Sequence, residues 1–233
     1  MNQPASVPAR SRGKLVAWLV FVGVLTALSL GARLGDSTTP DDLAYQYSSS
    51  VAALLQYGLM LGILLLIARG LPRREVFALR RPESWSHALG LAALGLVTIY
   101  FAAYVYDRVL SAFGSWDPTK EQGLVPDGWD SSRAGAFVAF FLVVTFVGPA
   151  VEELTYRGLG LSLLMPFGSV AAIVVTGILF GAVHGLLVVL FPLTVFGLVA
   201  GWLRVRTQSV YPSMLLHATF NGTALIVSVT VLG

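Results

Sequence analysis

The chain has 233 residues, of which 56% are hydrophobic and only 12% charged, with a mean hydropathy of +0.77. A water-soluble domain carries about a quarter charged residues, so this composition excludes a soluble globular surface and a disordered linker. The sequence contains no cysteine, which excludes a disulfide scaffold and a thiolate zinc site. The net charge is +3, but the basic residues, 13 arginines among 15, cluster in short loops beside apolar runs. That placement orients a membrane protein and does not suit nucleic-acid binding.

A helix needs about 20 residues to cross about 30 Å of hydrocarbon. The first such run is Leu15 to Leu34, preceded by Arg10, Arg12 and Lys14. Leu30 and Ala32 make a poor signal-peptide cleavage site, so an uncleaved anchor is expected. Val51 to Ala68 is the second run, and a basic loop with Arg69, Arg73, Arg74, Arg80 and Arg81 follows it. His87 to Val109 is the third. Ser111 to Arg133, with Trp116, Trp129, Pro118 and Pro126, reads as a polar loop at the membrane boundary. A fourth apolar stretch opens at Ala134, passes through Glu152, Glu153 and Arg157, and ends at Met165 before a Pro166-Phe167-Gly168 turn signal. Ser169 to Leu187, Leu190 to Leu203 and the segment from Ser209 onward complete the pattern. The expected fold is an all-α polytopic transmembrane bundle of about seven spans. It divides into residues 1–133, with three spans and the polar loop, and residues 134–233. Alternating the spans puts Arg10, Arg12, Lys14, Arg69, Arg73, Arg74, Arg80, Arg81, Arg204 and Arg206 on one side. By the positive-inside rule the N-terminus is then cytoplasmic and the C-terminus outside.

The informative residues are the polar ones inside these spans, each costing about 2.5–3.5 kcal/mol on insertion scales. Glu153 precedes Arg157 by four residues, the favourable order for a helical ion pair. Glu152 points about 100° away, toward the face of Gly148, Pro149, Thr155 and Tyr156, and lacks an adjacent cation. The alternative is that both glutamates flank an ordinary helix end. Phe180 lies one turn before His184, and Gly177, Gly181 and Gly185 form a smooth packing face. His217 and Asn221 share a face of the last helix. Taken singly, His184 suits a bond to a backbone carbonyl, and His217 with Asn221 suits interhelical hydrogen bonding. Depth favours a common site. Counted from the helix ends, Glu152 lies about 20 Å up, His184 about 22 Å, Asn221 about 18 Å and His217 about 12 Å. His87, beside Trp85 and Ser86 at a helix entrance, reads as interfacial.

EExxxR (Glu152, Glu153, Arg157), FxxxH (Phe180, His184) and HxxxN (His217, Asn221), in this order over about Ala134 to Val231, resemble the CPBP intramembrane proteases. That family includes the type II CAAX prenyl endopeptidases and bacterial relatives linked to bacteriocin immunity. Tyr156 and Pro212 also look family-like, whereas the first three spans carry no recognisable signature. The resemblance implies that residues 134–233 are a catalytic core in a bacterial cytoplasmic membrane protein. It implies that Glu152 activates a water with help from His184, that His217 and Asn221 stabilise the oxyanion, and that Glu153, Arg157, Tyr156 and Phe180 support them. The implied partner is a membrane-associated peptide or protein, lipidated or not, within the lipid bilayer. No cofactor is favoured; the alternative mechanism uses zinc held by Glu152, His184 and His217. Against zinc, asparagine is a poor ligand and no HExxH helix is present. Two other readings stay open: a membrane scaffold or immunity protein that uses the same pocket for binding, and a proton-coupled transporter. The latter is disfavoured because no inverted repeat is evident.

Overall fold

A run of about 20 apolar residues in lipid leaves its backbone no partner but itself, so it closes its own hydrogen bonds as a helix. The computed structural model describes residues 12–35, 42–113, 126, 128–186 and 188–230, and every regular element among them is helical. The helices are α1 (Arg12–Gly35), α2 (Tyr47–Ile67), the short α3 (Arg73–Val76) and α4 (Trp85–Phe113). The composite α5 (134–164) follows, then α6 (Ser169–Ala182), α7 (Leu190–Thr207) and α8 (Tyr211–Thr230). Many large apolar side chains face outward, including Leu28, Leu55, Leu66, Phe101 and Val170. A bundle with that exterior is an integral membrane protein.

Five helical stretches are long and apolar enough to cross a membrane: those of α1, α2, α4, α5 and α8. The expected fifth span, Ser169 to Leu187, is shorter than its apolarity suggested. Helix α6 ends at Ala182 after 14 residues, about 21 Å of rise. His184 and Gly185 follow it in a turn, with Gly185 at φ +68 against the Ser29 and Leu30 backbone of α1. Helix α7, which carries Pro192, Arg204 and Arg206, is also not among the five. Seven membrane-crossing helices therefore do not follow from helix length and apolarity. Together α6 and α7 form a tightly packed pair.

The glycines explain how close these two helices come. An added Cβ on Gly177 would lie 3.0 Å from the Leu198 nitrogen, and one on Gly197 2.7 Å from the Gly177 backbone. Gly181 meets Thr194 and Leu190 in the same way. Only the third expected packing glycine, Gly185, serves a turn instead.

The α5 stretch was expected to be one regular helix. It is interrupted by two π-helical segments, Val143–Val147 and Leu154–Gly160, which bracket the α-helical Gly148–Glu153. Wider π turns bulge the ladder and re-aim side chains and carbonyls, commonly at functional sites. The Trp18 indole of α1 donates to the Thr155 carbonyl at 3.0 Å, and its ring packs against Gly160. Gly160→Ala would drive a methyl group into that buried ring. We expect it to lower stability by about 1–3 kcal/mol, as overpacking does, measured by thermal unfolding in lipid; an unchanged midpoint would contradict this packing.

At the opposite end from the arginine-rich loop, Tyr45, Phe137, Phe140 and Leu225 form a second apolar cluster. Arg133 pairs there with Asp42 and Asp130 and lies 4.8 Å over the Tyr45 ring. Of the polar loop, Trp129 packs edge-on to Phe137, while Trp116, Pro118 and Lys120 lie outside the described residues.

Candidate active site

The short α-helical turn between the two π segments carries both glutamates, and consecutive helical positions aim them apart. Glu153 is fully buried and accepts a 2.9 Å hydrogen bond from Arg157, the expected i,i+4 pair. Arg157 is equally buried and also donates to the Gly197 carbonyl of α7 at 3.1 Å. Its guanidinium stacks 4.4 Å from the centre of Phe180, a cation–π contact. A buried charge needs several such partners to offset its desolvation. Arg157 has them.

Glu153 does more than neutralise Arg157. The same Oε1 lies 3.0 Å from Nδ1 of His217. Because that oxygen already accepts from Arg157, the proton in the Glu153–His217 contact belongs to Nδ1. The other ring nitrogen, Nε2, is thereby turned toward Glu152, 3.8 Å from its Oε2. Sequence spacing had joined Glu153 to Arg157 and left His217 to Asn221. The carboxylate–histidine contact spans 64 positions, and no periodicity reveals it.

Glu152 faces the interior, as expected, but not unaccompanied. The Tyr57 hydroxyl of α2 donates to Oε1 of Glu152 at 3.0 Å. Tyr57 fits because Gly148, one helical turn before Glu152, has no side chain; a Cβ there would lie 2.7 Å from the hydroxyl oxygen. The sequence signal was Gly148 itself, a small residue on the Glu152 face, although its partner lies 95 positions from Glu152 and in the segment without motifs.

His184 sits just beyond α6, with Nδ1 2.8 Å from the Phe180 carbonyl. The backbone-carbonyl bond expected of an isolated histidine is thus made, yet it occupies one nitrogen and leaves Nε2. Asn221 likewise donates one amide hydrogen to the Val144 carbonyl, in the first π segment, at 3.0 Å. The carboxamide has two donors, so one is left. Phe180 lies at the hub of the site, edge-on to Tyr156, His184 and His217 at 5.0–5.6 Å and stacked on Phe196.

Glu152, His184, His217 and Asn221 all line one cavity of about 760 Å³, together with Tyr57, Tyr156 and Phe180. Helices α1, α2 and α4 supply further wall, including Leu25, Met60 and Tyr100. The lining is mostly apolar with a few convergent polar groups, the usual make-up of a ligand site. His87 is exposed at the start of α4 and takes no part. Among the described residues, no three His, Asp or Glu side chains are grouped so as to hold a metal ion.

Residues 134–223 match a family profile described as "Rce1-like: Type II CAAX prenyl endopeptidase Rce1-like". The matched segment is similar to type II CAAX prenyl endopeptidases over 90 of the 233 residues. It contains all three motifs and four of the cavity's polar residues, while α1, α2 and α4 lie outside it. The description of that family names a CAAX-type endopeptidase. No curated protein and no solved structure matches the chain.

Proposed function

We propose that the protein is an intramembrane endopeptidase that hydrolyses a peptide bond of a membrane-associated substrate with a water activated by Glu152. The observation that carries this reading is the convergence of Glu152, His184, His217 and Asn221 on one largely apolar cavity. Glu152 Oε1 is occupied by Tyr57, which leaves Oε2 to take a proton from water. His184 Nε2 holds that water. The hydroxide attacks the carbonyl carbon, and the carbonyl oxygen becomes an oxyanion bound by His217 Nε2–H and the free Asn221 N–H. Protonated Glu152 then returns its proton to the amide nitrogen as the C–N bond breaks, giving a carboxylic acid and an amine.

His217 donates at Nε2 only as an imidazolium, since Glu153 holds the proton on Nδ1. In that state Arg157, Glu153, His217 and Glu152 carry two positive and two negative charges. A neutral set suits an apolar interior. The arginine asymmetry supports a cytoplasmic N-terminus.

Tyr57 is a positioning residue in this scheme. Tyr57→Phe keeps the ring against Gly148 and removes only the donor. A hydrogen bond to a charged group contributes about 1.5–3 kcal/mol, so kcat should fall about 10- to 100-fold. KM and thermal stability should stay near wild type; equal losses in folding and activity would make Tyr57 merely structural.

The test of the function uses purified protein in lipid and a panel of labelled membrane-associated peptides, lipidated and not. Cleavage lost in Glu152→Gln and retained under exhaustive chelation is expected, because no step requires a metal. Chelation that abolishes cleavage, with zinc restoring it, would replace this mechanism with a zinc one. Binding of the peptides without cleavage would favour a scaffold.

A further inference from the structure

The protein contains a second buried guanidinium, which shares with Arg157 a sealed, unpartnered Nε but not its carboxylate. Arg204, in the last turn of α7, is only 5% exposed. Its Nε is sealed from solvent without a hydrogen-bond partner. Among the described residues, the ion pairs involve Arg133, Arg157 and His217, and none involves Arg204. Where Arg157 has a carboxylate, a carbonyl and an aromatic face, Arg204 has no anionic partner.

A second cation is fixed at the same corner. Arg80 reaches the end of α7 from the loop before α4, donating to the Gln208 carbonyl at 2.5 Å and to its Oε1 at 2.9 Å. Gln208 caps the last turn of α7, the turn that carries Arg204. The corner is built. Gln208 closes α7 at φ 55 and bonds back to the Val205 carbonyl, while Val210 donates to the Ala78 carbonyl, whose residue also has positive φ. The carbonyls ending α7 offer partial negative charge, but none of them accepts from Arg204.

We propose that Arg204 and Arg80 form a phosphate-anion site, filled in the membrane by the headgroup phosphate of an anionic phospholipid. A guanidinium fork matches phosphate oxygens in two-point contacts, and the Arg80 N–H groups not given to Gln208 are left for the same anion. The site lies at the arginine-rich end of the bundle, with Arg69, Arg73, Arg74 and Arg81 in the adjoining segments, where lipid headgroups meet the chain. It is separate from the cavity, whose lining includes neither arginine. It therefore does not depend on the proteolytic reading.

The full chain would be unfolded thermally in phosphatidylcholine vesicles with and without phosphatidylglycerol, and in detergent with and without inorganic phosphate. Phosphatidylglycerol is expected to raise the midpoint by about 2–4 °C, the scale of one added interaction in a chain of this size. Arg204→Gln and Arg80→Gln should lose most of that gain, and Arg74→Gln, an exposed arginine of the same end, should keep it. Native mass spectrometry should show a retained phosphatidylglycerol on wild type and on Arg74→Gln only. A gain with inorganic phosphate alone would identify the free anion as ligand of the same site. If Arg204→Gln fails to fold, the exposed Arg80 carries the comparison. No gain from either phosphate source, or a gain undiminished in Arg80→Gln, would overturn the proposal.

Discussion

Glu152→Gln is expected to reduce turnover by about 100- to 10,000-fold, the range for loss of one general base. The substitution retains size and one acceptor oxygen, so Tyr57 can still donate as it does to Oε1. What disappears is the ability to take a proton from water. Glu152 is the less buried of the two glutamates, and its side chain retains 15% exposure toward the cavity. Replacing it leaves the fully enclosed Arg157 paired through Glu153. Thermal stability should therefore remain close to wild type while cleavage of a labelled membrane peptide falls. His184→Ala should cost a similar order, since the water loses its second anchor. A Glu152→Gln protein that is destabilised but keeps its specific activity would reverse this assignment.

Glu153→Ala should act in the opposite order, on the fold first. The substitution removes the carboxylate from Arg157, which is fully enclosed, and breaking a buried pair in this way costs about 3–5 kcal/mol. The remaining Arg157 partners, the Gly197 carbonyl and the Phe180 ring, do not neutralise its charge. Folded yield in membranes should drop sharply. The protein that does fold should also be impaired, because His217 loses the group that fixes its Nδ1 proton. Glu153→Gln keeps a hydrogen-bonding partner for both neighbours and should fold better than the alanine variant. Its activity should still be low, since the amide no longer balances the Arg157 charge. Yield by fluorescence-detected chromatography and specific activity per folded protein separate these effects. Near-normal yield of Glu153→Ala would contradict the buried network.

How much of this was legible depends on the range of the contact. Helices α1, α2, α4 and α8 follow directly from apolar run length, and the Glu153–Arg157 pair follows from helical spacing. The four polar residues were placed at a common depth by rise per residue, and they do share a cavity. That counting assumed a regular α-helix through Glu152 and an unbroken one through His184. Two π segments and the turn at Gly185 replace those assumptions. Gly177, Gly181 and Gly185, spaced four apart, were read as a packing face. Two of them pack, while the third accepts the positive φ that ends the helix. Tyr57 was invisible because a lone tyrosine in an apolar run looks like any interfacial aromatic. Only tertiary packing brings it across to Gly148 and Glu152. Arg204 was read as one of the loop charges that set orientation, and its burial depends on how α7 closes against the neighbouring loop.

The central claim is that the cavity around Glu152 hydrolyses peptide bonds of membrane-associated proteins. It is tested most directly by quantitative mapping of membrane-protein termini in cells lacking the protein and complemented with wild type or Glu152→Gln. A set of termini is expected to vanish on deletion, return with wild type, and stay absent with Glu152→Gln expressed at equal level. Termini restored equally by both versions would contradict it.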